Sequence, residues 1–130
     1  MAARVLIVED EDSILLSLEF LLTQAGYAVT TARDGAAALR ALEAQVPDLV
    51  LLDVMLPLID GFELCRRIRA NPLLRHARIM MVTARGREAE VKRGMALGAN
   101  AYVTKPFSTR DLMDQIRILL ENDIVRRTPG

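Results

Sequence analysis

Five side chains able to do chemistry stand at or just beyond short apolar runs. Glu9 and Asp10 follow RVLIV, Asp53 sits inside LVLLDVMLP, Thr83 follows RIMMV, and Lys105 follows AYVT. An unpaired carboxylate taken out of water costs several kcal/mol, so Asp53 in an unbroken apolar stretch calls for a partner, a metal or a reaction. Three carboxylates brought together would repel and raise the pKa of at least one of them unless a cation joined them. Mg²⁺ suits such a set, because it prefers oxygen ligands and keeps several of its waters. Counted formally, the carboxylates of Glu9, Asp10 and Asp53 contribute −3, and Mg²⁺ with the Lys105 ammonium restores +3. A phosphoryl group on Asp53 would add about −1.5 to −2, as on other phosphorylated side chains. Thr83, Lys105 and a backbone N–H such as that of Ala84 are the donors available to its oxygens. Taken singly these residues say little: Thr is common in strands, a lone Lys is usually solvated, and an acid at a strand end often only caps a helix, as Asp12 is placed to do.

Residues spread over 96 positions, from Glu9 to Lys105, meet only if the elements carrying them share an edge. Runs of strand length rich in Val, Leu and Ile occur at 4–8, 27–31, 49–52, 78–82 and 101–104. Between them lie segments of helical spacing. The first, 13–25, stops at Gly26; the second, 35–45, precedes Pro47; the third, GFELCRRIRAN, ends before Pro72. The fourth spans 87–97 and is closed by Gly98. The fifth opens with Ser108 and Asp111 in capping-box spacing and carries Leu112, Ile116 and Leu119 on one face. Five strands alternating with five helices predict an α/β domain with a parallel sheet covered on both faces. In open sheets of this kind ligands bind beyond the carboxyl ends of the strands. That is the edge where the five side chains would gather.

A chain of 130 residues is large enough for one domain that buries roughly two thirds of its unfolded surface. That domain is expected at 1–121, with 122–130 as a tail or linker stub. Seventeen basic and seventeen acidic residues cancel, so no global field draws the chain to nucleic acid or to a membrane surface. No run is long enough to span a bilayer. The N-terminus lacks a secretion signal, and the single cysteine, Cys65, forms no internal disulfide, so a cytoplasmic address is expected. His76, the one histidine, reads as a solvated loop residue, Cys65 as packing, and Met80 and Met81 as core. Arg66, Arg67 and Arg69 read as the wet face of the third helix.

Four motifs, LIVEDED at 6–12, LLDVMLP at 51–57, MMVTAR at 80–85 and YVTKPF at 102–107, together resemble the receiver domain of two-component response regulators. The resemblance covers about 4–121, with the motifs in the family's order and spacing. It implies a doubly wound, flavodoxin-like fold: a five-stranded parallel sheet in the order 2-1-3-4-5 with five helices. It implies Asp53 as the phosphoacceptor for a phosphoryl group from a sensor histidine kinase or phosphotransfer protein. Mg²⁺ would be held by Asp10, Asp53 and the backbone carbonyl of Met55, with Glu9 acting through water. Thr83, Ala84 and Lys105 would steady the phosphoryl oxygens. Thr83 and Tyr102 would act as the switch, and the Lys105–Pro106 peptide would be cis. The output face, formed by the fourth helix, fifth strand and fifth helix, would bind a downstream protein or a second copy. A signalling module is implied, catalysing only its own phosphorylation and dephosphorylation.

Within the family the nearest match is to receivers of winged-helix transcription regulators, which share the TARG and KPF stretches. Those receivers carry paired acids before the switch aromatic, where this chain has Asn100 and Ala101. Their dimer charge pairs are therefore not expected here. With the sequence ending at Gly130 and no effector domain after it, the expectation is a stand-alone receiver or a fragment of a longer regulator. The alternatives are a Mg²⁺-dependent aspartate-nucleophile phosphohydrolase and a small nucleotide- or flavin-binding protein. The first needs an acid two residues after the nucleophile, where Met55 stands. The second needs a phosphate-cradling first loop, for which EDEDS has the wrong charge.

Overall fold

The computed structural model describes residues 2–84 and 88–127, with side chains as far as 121. The chain runs β1 (Arg4–Val8), α1 (Asp12–Gln24), β2 (Ala28–Ala32), α2 (Gly35–Ala44), β3 (Leu49–Leu52), α3 (Gly61–Ala70), a 3₁₀ turn (Pro72–Leu74), β4 (Arg78–Thr83), α4 (Glu88–Ala96), β5 (Ala101–Thr104) and α5 (Thr109–Arg127). All pairings are parallel and the strand order is β2-β1-β3-β4-β5, as expected. The helix expected to open at Arg87, and Arg85 of the TAR motif, fall partly outside the described residues.

Period-two alternation along the three central strands divides the core into two layers. Leu6, Val8, Val50, Leu52, Ile79 and Met81 point to the side covered by α2, α3 and α4. Val5, Ile7, Leu49, Leu51, Met80 and Val82 point to the side covered by α1 and α5. Met80 and Met81 are wholly buried, as is Cys65, while His76 is exposed. Packing of α5 against the sheet rests on Leu112, Ile116 and Leu120.

Helices α1 and α4 end in the same way. Gly26 and Gly98 adopt φ of 96° and 108°. In each case the next amide reaches back five residues, Tyr27 N to Leu22 O and Ala99 N to Gly94 O. This closure with a left-handed residue satisfies the last carbonyls of the helix. It turns the chain directly into β2 and β5.

Three local expectations give way to tertiary contacts. Asp12 does not cap α1: Glu11 occupies the cap without a side-chain bond, and Asp12 instead pairs with Arg33 from the β2–α2 connection. Arg69 is not on the wet face of α3. Its guanidinium donates to Gly98 O at 2.9 Å, Ala77 O at 2.7 Å and Asn100 Oδ1 at 2.8 Å, bracing the approaches to β4 and β5. Arg66 and Arg67 remain exposed and bind Glu63. Strand β2 begins at Ala28 rather than Tyr27, because its register runs from Arg4↔Ala28 to Val8↔Ala32.

The β3–α3 connection is folded tightly back on itself. Gly61 N donates to Val54 O at 2.9 Å, and Asp60 caps α3 by accepting from Glu63 N at 2.9 Å. A Cβ on Gly61 would lie 2.4 Å from Asp53 O and 2.7 Å from Val54 Cα, backbone atoms that cannot swing aside. Gly61→Ala is therefore expected to lower unfolding free energy by about 1–3 kcal/mol, the usual range for overpacking. A denaturant midpoint unchanged from the native value would refute this.

Candidate functional site

Each potential site residue is placed by a strand end, and the hydrogen bonds that continue the sheet fix the rims. Glu9 N donates to Ala32 O, Asp53 N to Val8 O at 3.0 Å, and Lys105 N to Thr83 O at 2.7 Å. The carboxyl ends of β1, β3, β4 and β5 thus form a single edge. Glu9, Asp53 and Thr83 are buried there at 3%, 5% and 0% exposure, while Asp10 faces solvent.

Lys105 bridges the acids from the far side. Its Nζ donates to Glu9 Oε1 at 2.6 Å and to Asp53 Oδ2 at 3.3 Å. Asp53 Oδ1 accepts from Met55 N at 3.0 Å, and Glu9 Oε2 from Glu11 N at 3.2 Å. One carboxylate oxygen from each of Glu9, Asp10 and Asp53 lies within 4.8 Å of the other two. The Lys105–Pro106 peptide is cis. Ala84 lies on the exposed rim immediately after Thr83.

Burial first, and the neighbouring charged groups after it, set the electrostatics of the site. Burial pushes the Glu9 carboxyl up to about 7, against the downward pull of Lys105, and the neighbouring Asp53 adds to the rise. Burial works to lower the Lys105 ammonium, yet its bond to Glu9 and the charges of Asp53 and Glu9 outweigh it and hold it above its ordinary value. A carboxyl that holds its proton this far into the neutral range lies where a further positive charge would be welcome. An all-oxygen donor set with one solvent-facing carboxylate fits a hard dication that keeps its waters.

Tyr102, on β5, packs half-buried against the α3 side of the core, with α4 passing over it. A Cβ at Gly94 would lie 2.8 Å from Met81 Sδ and 3.3 Å from the Tyr102 ring, so the glycine makes room for both. The phenol is raised by burial first, then by the charges of Glu90 and Asp53. On the neighbouring face, the Arg93 guanidinium stacks over the Phe62 ring at 4.2 Å and ties α4 to α3.

Three features had no reading in the sequence: the close approach of Gly61 to Asp53, the Arg93–Phe62 stack, and Leu58, which holds φ of 71° in the loop leaving Asp53. The Asp-Gly pair at 60–61 was the one available signal, since it often marks a sharp turn.

Comparison with known proteins agrees with this construction. The family model for the response regulator receiver domain matches residues 5–117. The alkaline phosphatase synthesis transcriptional regulatory protein PhoP of Bacillus subtilis is 42% identical over 92% of this chain and 49% of its own length. A CheY-like response regulator receiver domain protein from Methanospirillum hungatei superposes with a TM-score of 0.91 at 30% identity, covering 97% of this chain and 99% of that one. The receiver domain of the sensor histidine kinase PA1611 from Pseudomonas aeruginosa, solved with a magnesium ion coordinated in its active-site cleft, gives 0.84 at 31% identity over 93% and 99%. The chain belongs to the response regulator receiver domain family of two-component systems. It spans about half the length of the curated relatives it matches, 49% and 53% for two of them. Among the described residues no helix is long and apolar enough to cross a membrane.

Proposed function

We propose that Asp53 accepts a phosphoryl group from a histidine kinase or phosphotransfer protein, in the presence of Mg²⁺, and that the change is passed to partners through the α4–β5–α5 face. The observation that carries this reading is Lys105, which reaches across from the end of β5 to bind both Glu9 and Asp53 within one acidic cluster. In the reaction an Asp53 carboxylate oxygen attacks phosphorus, the P–N bond of the donor's phosphoimidazole breaks, and its electron pair stays on the imidazole, which takes a proton from water. Asp10, Asp53 and the Met55 carbonyl would hold Mg²⁺, with Glu9 acting through water. The bound cation supplies positive charge to the phosphoryl oxygens. Lys105 neutralises a further oxygen, and the Thr83 hydroxyl and the Ala84 N–H donate to the rest. Because the charge in the transition state lies on those peripheral oxygens, positioned donors suffice.

On this reading Thr83 and Tyr102 carry the change outward from the phosphoryl group, which shifts the balance between two packings by its difference in affinity for them. A cytoplasmic setting and a domain of 1–121 with 122–130 as its tail go with the proposal, although α5 continues into that tail as far as Arg127. The phosphohydrolase alternative is not favoured, since the thioether of Met55 offers neither acid nor base at the position such enzymes use.

Incubation of the native chain with Mg²⁺ and acetyl phosphate is expected to add one phosphoryl group by intact mass, and excess chelator to abolish the addition. Mg²⁺ alone is expected to raise the melting temperature. Uptake that survives chelation would overturn the cation's role. Self-dephosphorylation is expected to be slow, with an acyl phosphate lasting minutes or longer, because Met55 at the mouth of the site cannot orient a water. A lifetime of seconds would contradict this.

A further inference from the structure

The connection from Asp53 to Gly61 divides its apolar residues into two sets. Val54 and Leu56 are buried and belong to the core beneath α3. Met55 and Leu58 are turned outward, exposed at 50% and 86%. Leu58 is also the sole non-glycine residue among those described with positive φ, at 71°. Side-chain crowding disfavours that conformation for leucine, and exposing a leucine to water gains nothing for the isolated domain. The conformation itself belongs to the loop, since it closes a tight turn in which Ile59 N donates to Pro57 O at 2.9 Å and Ile59 packs on the core. A glycine would make that turn without strain, so an exposed leucine there points to a role for its side chain outside the fold.

Its location says which role. Asp53 is buried at the carboxyl edge of the sheet, with 5% exposure. A phosphoryl group carried on another protein's imidazole reaches it only if that protein closes over the rim, and the loop leaving Asp53 is part of the rim. We infer that Leu58, with Met55 exposed in the same loop, is an apolar docking contact for the phosphohistidine-bearing donor protein, and so sets which protein donors are used efficiently. The inference rests on the phosphoacceptor reading of Asp53. Small donors reach Asp53 without covering the loop and do not need the contact.

The test compares acetyl phosphate with an autophosphorylated kinase core, chosen from a panel of purified cores as the one that charges the native chain fastest. Leu58→Gly removes the side chain and Leu58→Asn replaces its apolar body with a short polar amide, and both residues accept positive φ. Both are expected to slow transfer from the kinase core at least about tenfold, as loss of a well-packed interface anchor does, and to leave the acetyl phosphate rate within about twofold. Leu58→Met is expected to restore most of the protein-donor rate. The proposal is overturned if kinase transfer is unchanged in the Gly and Asn variants, if both donors slow equally, or if no kinase core charges a native chain that acetyl phosphate does charge. A native chain that acetyl phosphate fails to charge would instead overturn the phosphoacceptor reading beneath it.

Discussion

Asp53→Asn is expected to leave a folded protein that takes up no phosphoryl group from any donor. The amide is nearly the size of the carboxylate, and its oxygen can keep the bond from Met55 N that Asp53 Oδ1 now accepts at 3.0 Å. What disappears is the nucleophile. An amide oxygen is too weak to displace a phosphoimidazole, and no other carboxylate is placed to substitute: Glu9 is buried against Lys105, and Asp10 is solvent-facing. The fold gives up one of three clustered negative charges, so the metal-free melting temperature should stay within a few degrees of native or rise. Its response to Mg²⁺ should shrink, because one of the three carboxylates is gone. Intact mass after incubation with acetyl phosphate and Mg²⁺ decides the matter. A full phosphoryl increment on the variant would remove Asp53 from the chemistry, and an unfolded variant would show that the carboxylate is structural instead.

The acid in an apolar strand could be read from the chain because it breaks a local rule, whereas Lys105, unremarkable alone, was legible only from its place after a strand-length run and within the YVTKPF motif. Asp53 interrupts a buried run, and such inconsistencies mark sites whose requirements override folding economy. The alternation of runs then predicted that the breaks share an edge, and the register Val8↔Leu52↔Met81 shows that they do. Parallel pairing turns sequence distance into spatial proximity, so Lys105 and Glu9 meet across 96 positions.

What stayed hidden depends on partners from remote segments. Asp12 has the spacing of a cap, but Arg33 competes for it, and nothing local reports that competition. Arg69 sits among arginines that do face water. Its long stem lets the guanidinium reach carbonyls at the ends of other elements, a use that helical periodicity does not distinguish from solvation. Asn100 read as a missing dimer acid, yet its Oδ1 accepts from Ile79 N and Arg69 Nη2, both at 2.8 Å, so it organises the entry to β5. The positive φ of Leu58 is the hardest case, because the residue type argues against the conformation it adopts.

Lys105→Ala is expected to cost stability and activity together, with a pH dependence that separates the two. Glu9 and Asp53 would remain buried side by side without their shared cation. Removing one partner of a buried charge cluster typically costs about 3–5 kcal/mol. In native protein held in chelator, the folded pKa of Glu9 is about 7 against an ordinary 4.5, so between those values the folded state binds more protons than the unfolded one. Stability from this group therefore falls as pH rises through that window and levels off above it. Without the downward pull of Lys105 the folded pKa moves higher still, so the fall should extend to more alkaline pH and the variant should lose least on the acid side. Denaturant midpoints of both proteins across that pH range would show the curves diverging upward from the window; parallel curves would mean that Lys105 does not control Glu9. At a pH where the variant is fully folded and Mg²⁺ is present, the phosphorylation rate should still fall by about 10²–10³, the usual loss when one donor to a developing oxyanion is removed. A variant that folds and reacts at the native rate would show that Lys105 serves the fold alone.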